Sequence, residues 1–207
     1  MSKILVSILM AMSFISSAYS QNMSEAQIRT KINQAASQLQ TLQCDFVQTK
    51  HLKMLNDKLV SHGKMYYKKS DKLRWEYTTP YHYIFILNGS RVLLKNEKRN
   101  DIIDVNQNKV FKEIARLMMN SVVGKSLSDS RDFSSKISSS NSELIATLTP
   151  MRKDLKQMFK QISLYFSQST SLVYKVILVE KNGDKTVIEL KNAKKNEPVN
   201  TNVFNVN

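Results

Sequence analysis

Apolar residues recur along the chain at two different periods. Between Ser24 and Leu39 they fall at Ile28, Ile32, Ala35, Ala36 and Leu39 with polar residues between, the stripe of an amphipathic helix. Ser24 is a suitable N-cap and Glu25 an acid for the first turn. From Leu42 the period drops to two, as Leu42, Cys44 and Phe46 alternate with polar neighbours in the manner of a half-buried strand. Further strands are predicted over 59–68, 72–77, 81–87, 91–95 and 100–105. Between them lie the turn or break residues Asn56-Asp57, Ser70-Asp71, Thr79-Pro80 and Asn88-Gly89. In the second of these strands Leu73, Trp75 and Tyr77 share one face, and Arg74 and Glu76 the other.

A helical stripe then interrupts the strands. Val110, Phe111, Ile114, Leu117 and Met118 predict a second amphipathic helix within 106–120. The serine-rich run 126–142 reads as an exposed strand between loops. A strand over 144–148 follows it, and Pro150 opens a short helical or turn segment through Phe159. Strands over 161–166, 172–180 and 186–190 form a second meander, the last two joined by Asn182-Gly183-Asp184, and Val203 to Val206 read as a final short strand. No linker divides the chain, so one domain is expected over 21–207. The class is α+β: a large antiparallel sheet with one helix before it and one inserted, both covering its apolar face. Pattern alone leaves open whether such a sheet closes on a core or stays an open trough.

Residues 1–20 change the picture. Lys3, an apolar run from Ile4 to Ile15, and Ala18-Tyr19-Ser20 before Gln21 have the form of a cleaved signal peptide. The run falls short of the roughly 20 apolar residues that span a bilayer comfortably. An exported, soluble, periplasmic protein is expected. Lys and Arg number 31 against 17 Asp and Glu, a net charge of +14. Such a charge attracts nucleic acid or anionic membrane alike, and export argues against nucleic acid. The single Cys excludes a disulfide framework, and Cys44, in its alternating stretch, is expected to be a buried, unreactive thiol. His51, His62 and His82 lack metal-ligand spacing, and no nucleophile elbow or phosphate loop occurs. No catalytic residue, cofactor or metal is expected.

The stretch from Phe46 to Gly89 carries F-x-Q, then G-K-M-Y-Y-K-K-S-D-K-L-R-W-E-Y-T-T-P, then I-L-N-G. It resembles the signature of the LolA family, periplasmic carriers of outer-membrane lipoproteins. Phe46 and Gln48 match its F-x-Q, Gly63 the glycine of its second strand, and Leu73-Arg74-Trp75 its (F/L)-R-W. Pro80 and Asn88-Gly89 match its later P and D-G. Leu148-Thr149-Pro150 looks like its L-x-P turn, and Phe159–Leu164, Asn182–Thr186 and Asn192–Asn196 follow its closing strands.

The resemblance implies an incomplete β-barrel with a helical lid over a hydrophobic cavity. It also implies a monomeric, non-enzymatic chaperone. Its partners would be acylated lipoproteins, an inner-membrane ATP-driven releasing complex, and the outer membrane or a receptor there. The expected cavity residues are Phe46, Met65, Leu73, Trp75 and Tyr77 on the sheet, with Phe111, Ile114, Leu117 and Met118 as the inward stripe of the lid. Lys69-Ser70 stands where the family often has Arg-Pro, an arginine that helps hold the lid; Lys69 is the expected lid contact, without the planar fork of donors. Seven Met beyond residue 20 suit a pocket that adapts to varied chains. Two other readings keep a lipid ligand: a carrier of a free lipid or lipid-linked metabolite, and a lipid-binding envelope-stress sensor.

Overall fold

The computed structural model describes residues 23–107, 116, 119–120, 127, 132–140 and 143–206, apart from the side chain of residue 140. The signal peptide expectation and the lid residues Phe111, Ile114, Leu117 and Met118 lie outside these residues.

Helix α1 (Glu25–Gln38) starts as its sequence demands. The Ser24 side chain accepts the Gln27 amide while the Gln27 side chain accepts the Ser24 amide, a reciprocal capping box. Eleven strands follow: β1 (Thr41–Leu52), β2 (Asp57–Lys68), β3 (Lys72–Thr79), β4 (Tyr83–Asn88), β5 (Arg91–Asn96), β6 (Asn100–Asp104), β7 (Phe133–Ser140), β8 (Glu143–Pro150), β9 (Phe159–Phe166), β10 (Val173–Glu180) and β11 (Lys185–Lys195). A six-residue helix α2 (Lys153–Met158) lies between β8 and β9, and a 3-10 turn (Thr201–Phe204) follows β11.

All strands join one antiparallel sheet in the order β6-β5-β4-β3-β2-β1-β11-β10-β9-β8-β7. Each half is a meander, and the halves meet where the first strand pairs with the last, Phe46 opposite Leu190. β6 and β7 are the two ends of the order, so the sheet is open and not a closed barrel.

The inner face of the sheet carries two apolar clusters. One joins β1 to β5 around Phe46, Met65, Leu73 and Trp75, with Ala35 of α1 and Leu39, the residue that caps its C-terminus, packed on it. The other joins β7 to β10 around Leu144, Leu148, Ile162, Leu164 and Phe166, with Ile28 and Ile32 of α1 on top. One helix therefore spans both halves, and Ile188 of β11 packs against both clusters. Met119 is buried in the first cluster and Leu127 in the second, so the inserted segment also touches both. Asp132, buried, pairs with Arg152 at 3.2 Å and with Arg116, tying that segment to the second half.

Two expectations need correction. Val203 to Val206 form no strand: Asn200 caps a 3-10 turn whose Phe204, with Val206, packs on Ile84, Ile86 and Leu93 of the outer face. Arg74 donates to the Val203 carbonyl (3.2 Å) and Asn88 to that of Phe204 (3.1 Å), so the segment is held by side chains instead of a ladder. The serine-rich strand is present as β7, yet it is not simply exposed, because Phe133 and Ile137 are buried in the second cluster.

Candidate functional site

The sequence places Phe46 on β1 opposite Gly63 on β2, and Met65 opposite Trp75 on β3. Gly63 matters because it has no side chain. A Cβ there would stand 2.3 Å from Phe46 Cζ and 2.0 Å from the Glu76 carbonyl oxygen. The Phe46 ring instead lies over the glycine, stacked on Trp75 with centroids 4.3 Å apart and planes 26° apart. Tyr77 meets Phe46 edge-on at 5.2 Å, and Tyr81 and Tyr83 lie 5.7 and 6.3 Å beyond Tyr77. Ring pairs in these geometries add to area burial. The structure thus brings Phe46, Met65, Leu73, Trp75 and Tyr77 together as one aromatic wall.

Within that wall the residues differ in what they present. Met65 and Leu73 have no exposed surface and form its back. Tyr77 is half-buried, and its hydroxyl donates to Gln48 Oε1 at 3.0 Å. Gln48 in turn lines an open cavity of about 800 Å³ together with Lys50, Gln157, Met158, Phe159, Leu178, Glu180, Lys181, Asn182 and Thr186. That volume falls in the range of sites that take a small molecule or a hydrocarbon chain. Its lining is apolar on the side of Met158, Phe159 and Leu178 and charged on the other. There Lys50 pairs with Glu180 at 3.0 Å and approaches Asp184 at 3.8 Å. Sequence reasoning missed this cavity. Gln48 stood there as a motif residue without a role and Met158 as one of seven methionines suited to an adaptable pocket, while Lys50, Phe159 and Leu178 had no place in it.

Lys69 follows β2, and its ammonium donates to the Ser37 carbonyl at 2.9 Å, in the last turn of α1. A cation there also complements the helix dipole. The covering element that Lys69 reaches is therefore α1.

Burial pushes the Cys44 thiol up to about 12, with the Asp45 carboxylate beside it acting in the same sense. Burial also raises the phenols of Tyr67, Tyr77 and Tyr83 above their ordinary value. Burial alone would raise Glu76 as well, but hydrogen bonds from Arg74 and His82 outweigh it and hold the carboxyl below its usual value.

Comparison with known proteins decides the lineage. The family model described as outer membrane lipoprotein carrier protein LolA matches residues 37–207. The chain belongs to the LolA family. No match was found among curated protein sequences. Among solved structures, a conserved protein of Thermus thermophilus superposes with a TM-score of 0.53 at 8% identity, covering 87% of this chain and 93% of that one. The MucA/MucB complex of Pseudomonas aeruginosa gives 0.51 at 9% identity, covering 87% of this chain and 60% of the other. A LolA superfamily protein of Nitrosomonas europaea gives 0.47 at 10% identity, covering 88% and 98%. At these identities the first two matches speak for the fold alone. It is the LolA-like open sheet described above.

Proposed function

We propose that this LolA-family protein is a periplasmic carrier that shields the acyl chains of lipoproteins between the inner and the outer membrane, without covalent chemistry. The observation that carries the reading is the cavity of about 800 Å³ on the inner face, whose Gln48 is hydrogen-bonded to Tyr77 of the aromatic wall. Burying acyl chain is worth about 0.8 kcal/mol per CH₂, so exposing one long chain to water costs on the order of 10 kcal/mol. A lipid-anchored cargo crossing an aqueous space needs such a socket. In this reading Met158, Phe159 and Leu178 are its apolar side, and the aromatic wall of Phe46, Trp75 and Tyr77 adjoins it through the Tyr77–Gln48 hydrogen bond. Phe111, Ile114, Leu117 and Met118, outside the described residues, are assigned to its cover. Energy for loading comes from an ATP-driven releasing complex in the inner membrane, and delivery goes to the outer membrane or a receptor there.

The test is release of a defined lipoprotein from spheroplasts by purified protein, alongside the same cargo with its acylated Cys replaced. Acyl-dependent appearance of a soluble one-to-one complex is expected. Leu178→Glu, which places a carboxylate in the cavity at a half-buried position on the margin of the second cluster, should abolish release, with circular dichroism checking that the fold is kept. Equal recovery of acylated and unacylated cargo, or normal release by Leu178→Glu, overturns the reading. Leu73→Glu is a poor substitute, because Leu73 is fully buried and a charge there attacks the fold itself.

A further inference from the structure

β1 and β2 are the two longest strands, at twelve residues each, and they outrun their neighbours. β2 pairs with β3 only as far as His62 opposite Thr79, whereas β1 and β2 stay paired to Leu52 opposite Asp57. Residues 57–61 of β2 therefore have β1 on one side and an open edge on the other. The turn beyond carries Met54 and Leu55, 92% and 71% exposed, and the overhanging strand carries Leu59 and Val60, 55% and 41% exposed. Native sheets avoid bare apolar edges of this kind unless they serve a contact. Around these four side chains stand the exposed residues His51, Lys53 and Lys58, with Asp57 as the acid among them, and exposed Lys185 lies opposite His51.

The overhang is not loose. The Lys53 amide donates to Asp184 Oδ1 at 3.0 Å, Lys50 pairs with Glu180 at 3.0 Å, and Gly183 leaves room for the Lys53 stem. These contacts fix the hairpin base to the β10–β11 turn, and that turn also supplies Asn182 to the inner cavity. The apolar tip and the cavity are thus mounted on the same turn.

We propose that the β1–β2 hairpin is a membrane-docking element that sets Met54 and Leu55 into the headgroup region of an anionic phospholipid bilayer, with Lys53 and Lys58 on the lipid phosphates. A peptide added to the β2 edge would use residues 57–61 and leave the two most exposed side chains bare. A lipid surface takes tip and edge together. Flexible lysines flanking an apolar tip suit an interface, where stems lie in the apolar layer and ammonium groups stay wet. The net charge of +14 adds long-range attraction to the same surface. Docking there brings the cavity turn to the membrane; it takes only its purpose from the carrier reading and does not require cargo.

The experiment uses residues 21–207, which hold every described element, and sedimentation with vesicles of phosphatidylethanolamine and phosphatidylglycerol or of phosphatidylcholine alone. Binding to the anionic vesicles is expected. The variant Met54→Ser with Leu55→Ser, changed only at exposed positions, should bind them about tenfold or more weakly. An environment-sensitive fluorophore on Met54→Cys should shift to the blue on those vesicles, and Cys44, buried and protonated, stays unlabelled. Equal binding by the double-Ser variant, an unshifted fluorophore, or no binding to anionic vesicles each overturns the proposal. In the last case the hairpin is left for a protein partner. The two readings fail separately: the double-Ser variant retains acyl-dependent capture of detergent-solubilised lipoprotein, whereas Leu178→Glu loses capture and retains vesicle binding.

Discussion

The two halves of the inner face solve the same packing problem with different chemistry. The first half is a wall of rings, Phe46, Trp75, Tyr77, Tyr83 and Phe85, with Tyr67 and Cys44 among them. The second is mainly aliphatic, built on Leu144, Ala146, Leu148, Ile162, Leu164 and Val176, with the buried rings of Phe133 and Phe166 set among them. Aliphatic side chains fill space by shape alone and tolerate volume-conserving exchange. Stacked rings need a set orientation, and hydroxyls among them need partners. The aromatic half is accordingly anchored by one absent side chain, Gly63, and by one hydrogen bond from Tyr77 to Gln48. The aliphatic half has no such device among its cluster residues. The aromatic wall should therefore be brittle where the aliphatic wall is compliant.

Gly63→Val breaks the comparison most directly. Its Cβ meets a backbone oxygen, Glu76 O, at 2.0 Å as well as the Phe46 ring, and the oxygen has nowhere to go within a paired sheet. A loss of about 3 kcal/mol or more in urea unfolding is expected. Emission from Trp75, the single tryptophan, should shift to the red as its stack opens. The matching change in the other half, Ala146→Val, adds volume at a fully buried strand position facing Ile137 and Leu164. It should cost about 1–2 kcal/mol, because aliphatic rotamers can yield. Equal costs for the two would show that ring orientation does not set the rigidity of the first half.

Alkaline pH separates the halves next. Cys44 and three of the raised phenols, Tyr67, Tyr77 and Tyr83, belong to the aromatic cluster or pack against it. The fourth, Tyr174 of β10, is pushed up to about 12 by burial and by Glu143 in the second half, so only the fall that Cys44 starts below pH 10.0, the ordinary phenol value, is particular to the first. A raised thiol in the folded chain keeps its proton where the unfolded chain loses it. Its stabilising contribution is thus whole below pH 9, the ordinary thiol value, and is lost as the pH climbs towards about 12. Between the first two pH units above that ordinary value Cys44 withdraws about 1 kcal/mol per unit. The phenols act in the same direction above their own ordinary value of 10.0. Unfolding free energies measured against pH should fall from about pH 9, as that linkage requires, and Cys44→Ala should delay the fall. A profile unchanged by Cys44→Ala would mean that the thiol ionises freely in the folded chain.

Much of this wall was legible in the sequence, because local parity is enough to place Leu73, Trp75 and Tyr77 on one face and Phe46 on the matching face of its own strand. The capping box was written there too, as Ser24 followed at the third position by Gln27. The cavity was not legible. Gln48 and Lys50 meet Leu178 and Thr186 through the pairing of the first strand with the last, a choice of partner that no local period encodes. The C-terminal segment shows a second limit. Alternation at Phe204 and Val206 reported burial correctly, but the side chains of Arg74 and Asn88 take up carbonyls that a strand would have paired. In β7, two apolar residues in eight were too few to outvote the serines, although both are buried.

Tyr77→Phe is the mildest change and the one that isolates what a hydroxyl contributes. It keeps the ring, so the edge contact with Phe46 at 5.2 Å survives, and it removes the donor to Gln48. A neutral hydrogen bond of this kind is worth about 1 kcal/mol net. Gln48 lines the open cavity and can turn its carbonyl to water, so the cost should stay near or below that figure. Gln48→Ala should cost a similar amount, and the double variant little more than either alone, since both remove the same bond. Cargo capture tests the other side of the argument. If the hydroxyl only fixes the wall, capture by Tyr77→Phe stays at the parent level while its unfolding midpoint drops. If capture falls with stability unchanged, the Tyr77–Gln48 pair touches the ligand, and the boundary between wall and cavity lies one residue deeper in the aromatic half.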